Sequence, residues 1–146
     1  MPGIIVGIVG SGQSRLALEW AVGEAAVRHA PLTVFTVQQA AVGYWGSPVL
    51  YPGDEDLAEQ GRKMAQEETD SVLEKIGPES RPSSVIVRGT AGLPAEALLA
   101  AAADADLLVV GSRGAGGYKR LLMGSVSTQV THHAPCPVVV IPDEDI

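Results

Sequence analysis

The chain has 146 residues, 46% hydrophobic but only 4% aromatic, which predicts one globular domain over residues 1–146 with an aliphatic core. Seventeen acidic residues against ten basic ones give a formal charge of −7, which disfavours partners such as nucleic acid or an anionic membrane. No segment approaches the ~18 uncharged apolar residues of a membrane span, and the short apolar N-terminus is interpreted as a strand, so we expect a soluble, cytoplasmic protein.

Apolar runs and helical patterns alternate along the chain. Strands are predicted at Ile4–Val9, Leu32–Val37, Ser83–Arg88, Asp106–Val110 and Val138–Ile141. Helices are predicted from the cap Ser14 to about His29, and over Glu55–Ile76, Ala95–Ala103 and Ser125–His133. Strands that are apolar throughout and alternate with helices indicate an α/β fold, a three-layer sandwich with a parallel sheet between two helical layers. Ligands of such sheets bind beyond the carboxyl ends of the strands, where the strand order reverses.

Residues 38–54 lack a periodic pattern and concentrate the scarce aromatic residues. Tyr44, Trp45 and Tyr51 all lie in this segment. A loop of this length is uncommon inside a compact domain and is often functional. Two interpretations stand: a lid or partner-binding loop, or a surface loop that packs its own aromatic rings against the fold.

A glycine-rich segment over residues 111–127 follows the fourth predicted strand and leads into the last predicted helix. The spacing G-x2-G-x9-G-S is met by Gly111, Gly114, Gly124 and Ser125, and it is neither a P-loop nor a dinucleotide fingerprint. The amides of Ser125, Val126 and Ser127 would be free donors at a helix start, and Arg113 adds positive charge. The segment therefore predicts a phosphate-binding loop; the alternative is a flexible connector with Ser125 as the helix cap.

The single cysteine and two of the histidines lie near the end of the last helix. Cys136 stands between two prolines and is interpreted as a small buried thiol, because a reactive thiol would need a lowered pKa that only His132 and His133 could support. At the end of a helix, the two histidines can donate hydrogen bonds to backbone carbonyls that have no partner within the helix. Metal binding is the minor alternative. We predict neither a catalytic residue nor a metal ligand.

Over nearly its whole length the sequence resembles a single-domain universal stress protein. The resemblance is carried by Ile5–Ser11, Ala17–Ala21, Val109–Gly117, Leu121–Ser127 and His133–Val140. The ATP-binding signature of this family is the glycine spacing described above. The resemblance implies a Rossmann-like sheet of five parallel strands in the order 3-2-1-4-5, of the adenine nucleotide alpha hydrolase-like type.

The resemblance also implies where a nucleotide would bind, between the ends of the first and fourth strands. The glycine-rich loop would hold triphosphate and ribose, and the adenine would lie near the backbone of Val37. The residues expected to contact the nucleotide are Val9, Val37, Val110, Gly111, Arg113, Gly114, Gly124, Ser125, Val126 and Ser127. The implied ligand is ATP, with AMP and cyclic AMP as further candidates. A homodimer through residues 137–141 is implied as well, since an uncovered apolar edge strand invites pairing.

One position departs from the family pattern. The family usually has an aspartate at the end of the first strand, where this chain has Val9. Loss of one charged hydrogen bond typically costs ~1.5–3 kcal/mol, so the sequence predicts weaker assistance by Mg²⁺.

The predicted function is that of an ATP- or adenine-nucleotide-binding universal stress protein, a dimeric regulator in the stress response with at most slow ATP hydrolysis. The alternative is a dimeric interaction module of the same fold that does not bind nucleotide. Such a module would act through its edge strand and residues 38–54. The sequence argues against a third interpretation, an enzyme that cleaves ATP and transfers the adenylyl group, because the acidic residue and the lysine that such an enzyme needs are missing.

Overall fold

The computed structural model describes residues 3–9, 15–39, 41–42, 48–49, 51–111 and 125–142. Its strands are β1 Ile4–Val9, β2 Pro31–Gln39, β3 Ala41–Val42, β4 Pro48–Val49, β5 Ser84–Gly92, β6 Leu107–Gly111 and β7 Val138–Ile141. Its helices are α1 Arg15–Arg28, α2 Asp54–Glu74, α3 Pro94–Ala101 and α4 Ser125–His133, with a short 3-10 helix at Pro78–Ser80. The predicted alternation of strands and helices is confirmed.

Five of the strands form one parallel sheet in the order β5-β2-β1-β6-β7. Counted along the chain within this sheet, the order is 3-2-1-4-5, as expected. Parallel neighbours need crossover connections, and the helices supply them on both faces of the sheet. The expected three-layer α/β/α architecture is therefore confirmed.

Two hydrophobic clusters lie on opposite faces of the sheet, because successive side chains of a strand alternate in direction. Ile4, Val6 and Ile8 belong to the cluster that includes residues of α1 and α2. Ile5 packs against the other cluster, which includes Leu98 of α3 and residues of α4. Aliphatic residues supply nearly all of both cores, as the low aromatic content predicted.

The boundary predicted for the third strand of the sheet is wrong. β5 continues to Gly92, beyond the predicted end at Arg88, and Gly89 is paired with Thr36 of β2. The sequence after Arg88 resembles a turn, but Gly89 has a packing role instead. A β-carbon at Gly89 would lie 3.0 Å from the carbonyl oxygen of Ala58, so α2 can approach β5 closely only where the side chain is absent.

The segment at 38–54 contains more regular structure than the sequence predicted. β2 continues to Gln39, and β3 and β4 pair as a short antiparallel ladder. Tyr51 is 58% exposed, and its amide donates a hydrogen bond of 2.7 Å to the Asp54 carboxylate at the start of α2. Tyr51 therefore does not pack its ring into the fold, whereas Tyr44 and Trp45 lie outside the described residues.

Across the described ranges, no helix combines the length and apolar character needed to cross a membrane.

Candidate functional site

The strand order of the sheet reverses between β1 and β6. From β1 the chain crosses through α1 to β2 on one side, and from β6 it crosses through α4 to β7 on the other. Diverging connections leave a crevice above the carboxyl ends of these two central strands. The sequence-based location of the site therefore coincides with the switch point of the observed topology.

The ladder between the two central strands ends before the strands do. Among the described residues, the last pair of β1 and β6 is Val6 with Val109. β1 nevertheless continues to Val9, which is paired with Val37 of β2, and β6 continues to Gly111, which is paired with β7. The two strands thus remain held on their outer sides while their shared edge is open toward the crevice.

Seven of the ten predicted nucleotide-contacting residues lie in the described part of the chain: Val9, Val37, Val110, Gly111, Ser125, Val126 and Ser127. The strand residues among them stand at the carboxyl ends of β1 and β6 and in the neighbouring β2, and the others form the first turn of α4. Arg113, Gly114 and Gly124 lie outside the described residues.

Three of the apolar residues of this set belong to one buried cluster or pack against it. Val37 is 4% exposed and Val110 is 3% exposed, and Val126 packs against the cluster to which both belong. A residue whose side chain is buried to this degree can contact a ligand only through its backbone groups. The expected contact of the Val37 backbone with adenine stays a prediction.

The helix α4 begins at Ser125, where the sequence predicted it. The first amides of any α-helix have no partner within the helix, so its N-terminus favours anions. Ser127 is 2% exposed, and Val130 one turn later is completely buried in the same cluster as Val110. Packing of α4 on this cluster fixes the direction of its first turn relative to the end of β6.

Cys136 is half-buried and packs against the same cluster. Burial raises the pKa of its thiol, and the negative charge of Asp106 raises it further. A reactive thiol needs the opposite shift, so the structure favours the interpretation of Cys136 as a small apolar residue.

The structure gives no metal cluster within the described ranges. His132 and His133 are both exposed, with ring centroids 6.4 Å apart. No group of three or more histidine, cysteine, aspartate or glutamate side chains that could hold an ion occurs in that part of the chain.

Sequence reasoning missed a groove on the α3 side of the sheet. The sheet was predicted to lie between two helical layers, yet Ile86 of β5 is 54% exposed on this side and Arg88 lines the groove beside it. The one available signal was a charged residue, Arg88, two positions after an apolar one in a predicted buried strand.

The fold is that of a doubly wound α/β protein, and its candidate ligand site lies at the switch point of the sheet. The family model described as "Universal stress protein family" matches residues 2–142, and the chain belongs to that family. It is 34% identical over 147 aligned residues to universal stress protein Rv2005c of Mycobacterium tuberculosis, covering 98% of this chain and 48% of that protein. It is 37% identical over 141 residues to Rv2624c of the same organism, again covering 48% of the relative. The chain thus spans about half the length of these curated relatives.

Solved structures of universal stress proteins share the fold. The protein UspA of Lactobacillus plantarum superimposes with a TM-score of 0.67 at 22% identity, over 97% of this chain and 99% of the other. A universal stress protein in complex with cAMP gives 0.66 at 24% identity, over 97% and 96%. The protein of Archaeoglobus fulgidus in complex with dAMP gives 0.61 at 22% identity, over 97% and 98%.

Proposed function

We propose that this chain binds an adenine nucleotide, with ATP as the leading candidate and AMP and cyclic AMP as alternatives. The observation that carries the proposal is the end of the β1–β6 ladder at Val6 and Val109, at the switch point of the sheet, where the G-x2-G-x9-G-S segment connects β6 to α4. The triphosphate lies at the first turn of α4, and the adenine lies beside the backbone of Val37.

Two independent considerations support this ligand class. The N-terminus of α4 favours an anion by ~0.3–1 kcal/mol, and Arg113 brings positive charge to a chain whose formal charge is −7. Structures of the same fold and family were solved with cAMP and with dAMP, two adenine nucleotides.

The nucleotide acts in this proposal as a regulatory ligand rather than as a substrate that is turned over rapidly. β1 ends in Val9, so the position where the family usually has an aspartate lacks a carboxylate that could assist Mg²⁺. We propose a cytoplasmic stress-response protein in which residues 1–146 form one domain, with at most slow ATP hydrolysis. Turnover of ATP at ~1–10³ per second, the range of ordinary enzymes, would contradict it.

Isothermal titration calorimetry with ATP, AMP and cyclic AMP, with and without Mg²⁺, tests the ligand. Ser125→Glu places a negative charge at the start of α4, and it should weaken ATP binding about tenfold or more, since like charges at a helix N-terminus repel. The matched control is Gln129→Glu, which adds the same charge at an exposed position one turn later. Equal effects of the two substitutions, or no binding of any nucleotide at millimolar concentration, would contradict the proposal and favour the interaction module.

A homodimer through residues 137–141 is the second part of the proposal. β7 lies at the edge of the sheet, and its four residues are all only half-buried. An apolar edge strand of this kind presents unpaired backbone groups to another chain. We expect sedimentation velocity to show a dimer that Val140→Lys converts to monomer. Val85→Lys, at a half-buried valine of the opposite edge strand β5, should leave the dimer intact.

A further inference from the structure

A second concave site lies on the face of the sheet, away from the crevice. A groove of about 600 Å³ runs over β2 and β5 on the α3 side. On the opposite face, α2 covers the same two strands with 21 residues, whereas α3 has only 8. Because α3 is short, it covers β5 incompletely, and Ile86 remains 54% exposed. The volume lies within the ~300–1,000 Å³ of small-molecule sites.

The middle of the groove is apolar. Phe35 and Ile86 line it from the sheet. The facing wall of α3 is formed by Ala97, Ala100 and Ala101, which share one side of the helix because they are three and four positions apart. Because these side chains are small, they do not fill the space between α3 and the strand. That space suits a narrow aliphatic chain.

Among the described residues one cation, Arg88, lines the groove. Arg15, Arg28 and Arg62 each form an ion pair with a glutamate, and Arg81 donates a hydrogen bond to a backbone carbonyl. Arg88, the remaining arginine of the described ranges, forms neither an ion pair nor a side-chain hydrogen bond with them. A guanidinium in this state can offer two parallel donors to a carboxylate.

The charges are separated along the groove. Arg88 is paired in register with Phe35 of β2 and lies toward the carboxyl ends of the strands, where Thr90 also lines the groove. Asp104 lines the other end, since it shortly precedes the start of β6. From Ile86 to Thr90 the strand rises about 13 Å, so the groove is elongated. An anionic head group would therefore be held at Arg88 and kept away from Asp104.

We propose that this groove binds an aliphatic monocarboxylate, with the carboxylate on Arg88 and the chain between Ile86, Phe35 and the alanines of α3. The formal charge of −7 opposes the approach of any anion, and Arg88 supplies the local positive charge that offsets this repulsion. The site does not include the crevice between β1 and β6, and its occupation requires no nucleotide.

Calorimetric titration of the nucleotide-free protein with monomeric decanoate tests the proposal. We expect saturable binding, and Arg88→Gln should weaken it about 10- to 100-fold, the effect of losing a charged hydrogen bond of ~1.5–3 kcal/mol. Arg28→Gln is the matched control, because Arg28 is an exposed arginine on α1 at the opposite face, and it should change nothing. Arg88→Lys should retain part of the affinity, since it keeps the charge without the planar fork.

Two further measurements separate the head group from the chain. Decanol has the same chain without the charge and should bind at least tenfold more weakly than decanoate. Ala97→Leu narrows the groove and should abolish binding, with circular dichroism to verify folding. Equal affinity of Arg88→Gln and the unsubstituted protein for decanoate would overturn the proposal, as would equal binding of decanol. A dimer that Ile86→Ser dissociates, without any decanoate binding, would assign the groove to a second copy of the chain instead.

Discussion

Gly7 of β1 lies so close to Leu98 of α3 that a β-carbon at Gly7 would be only 2.6 Å from the Cδ2 atom of Leu98. Leu98 is completely buried and belongs to the cluster that includes Val37 and Val110 beneath the crevice. The absence of a side chain at Gly7 thus determines how closely α3 approaches the central strand, and with it the packing under the candidate site.

Gly7→Ala should destabilise the protein by about 1–3 kcal/mol, because an extra methyl in a packed core forces its neighbours to move. Thermal or urea unfolding measures the effect. Gly23→Ala is the matched control: nothing lies within 4 Å of a β-carbon at this exposed position in α1. It should stabilise the protein by about 0.5–1 kcal/mol, the usual gain on replacing glycine in a helix interior. Loss of stability in both variants would contradict this account.

Combining Gly7→Ala with Leu98→Ala should cost less than the sum of the two single substitutions. Leu98→Ala alone should cost about 2–5 kcal/mol because it leaves a cavity, and the new methyl at residue 7 would occupy part of that space. A double-mutant cycle from urea unfolding measures this coupling. Additive costs would show that the strain of Gly7→Ala arises elsewhere.

Val9→Asp should strengthen the binding of ATP with Mg²⁺ about 10- to 100-fold, because it restores a carboxylate worth ~1.5–3 kcal/mol as a charged hydrogen-bond partner. Val9 is the last residue of β1, beside Val37 and next to the open part of the ladder. Val9→Asn is the control, since its side chain has nearly the same shape without the charge. Calorimetry with and without Mg²⁺ decides, and equal gains for both variants would contradict a role for the charge.

Cys136 should react slowly with iodoacetamide at neutral pH. Burial, followed by the negative charge of Asp106, raises the pKa of the Cys136 thiol, and the thiolate is the reactive form. The folded state therefore retains the thiol proton to higher pH than the unfolded chain does. The stability from this difference is present at low pH and is lost as pH rises through the raised pKa. Asp106→Asn should move the pH profile of alkylation toward lower pH, and an unchanged profile would contradict the contribution of Asp106.

Much of the fold follows from local patterns. The apolar run Ile4–Val9 and the helix Ser125–His133 agree with the structure at both ends, because each is bounded by residues of clear turn or helix-start character. β5 was predicted too short because glycine, which follows Arg88, is depleted in strands. The actual role of Gly89 depends on the approach of Ala58 in α2, a contact between residues far apart in sequence.

The location of the candidate site was predictable from the sequence, and its shape was not. The glycine spacing from Gly111 to Ser125, placed between a strand and a helix, predicts an anion-binding segment at that location. The opening of the ladder after Val6 and Val109, however, depends on how four strands pair, which no local pattern contains. The groove at Arg88 was missed for a similar reason, since the exposure of Ile86 depends on the length of a helix on another part of the chain.

The residue types at the open end of the β1–β6 ladder have a consequence for how the affinity for nucleotide depends on pH. The described residues that are predicted to contact the nucleotide include no side chain that titrates in the physiological range: they are Val9, Val37, Val110, Gly111, Ser125, Val126 and Ser127. A ligand held by the main-chain groups of these residues binds to groups whose protonation does not change near neutral pH. Any dependence of nucleotide affinity on pH near neutrality would then follow the phosphate of the nucleotide itself, whose second ionisation has a pKa of about 6.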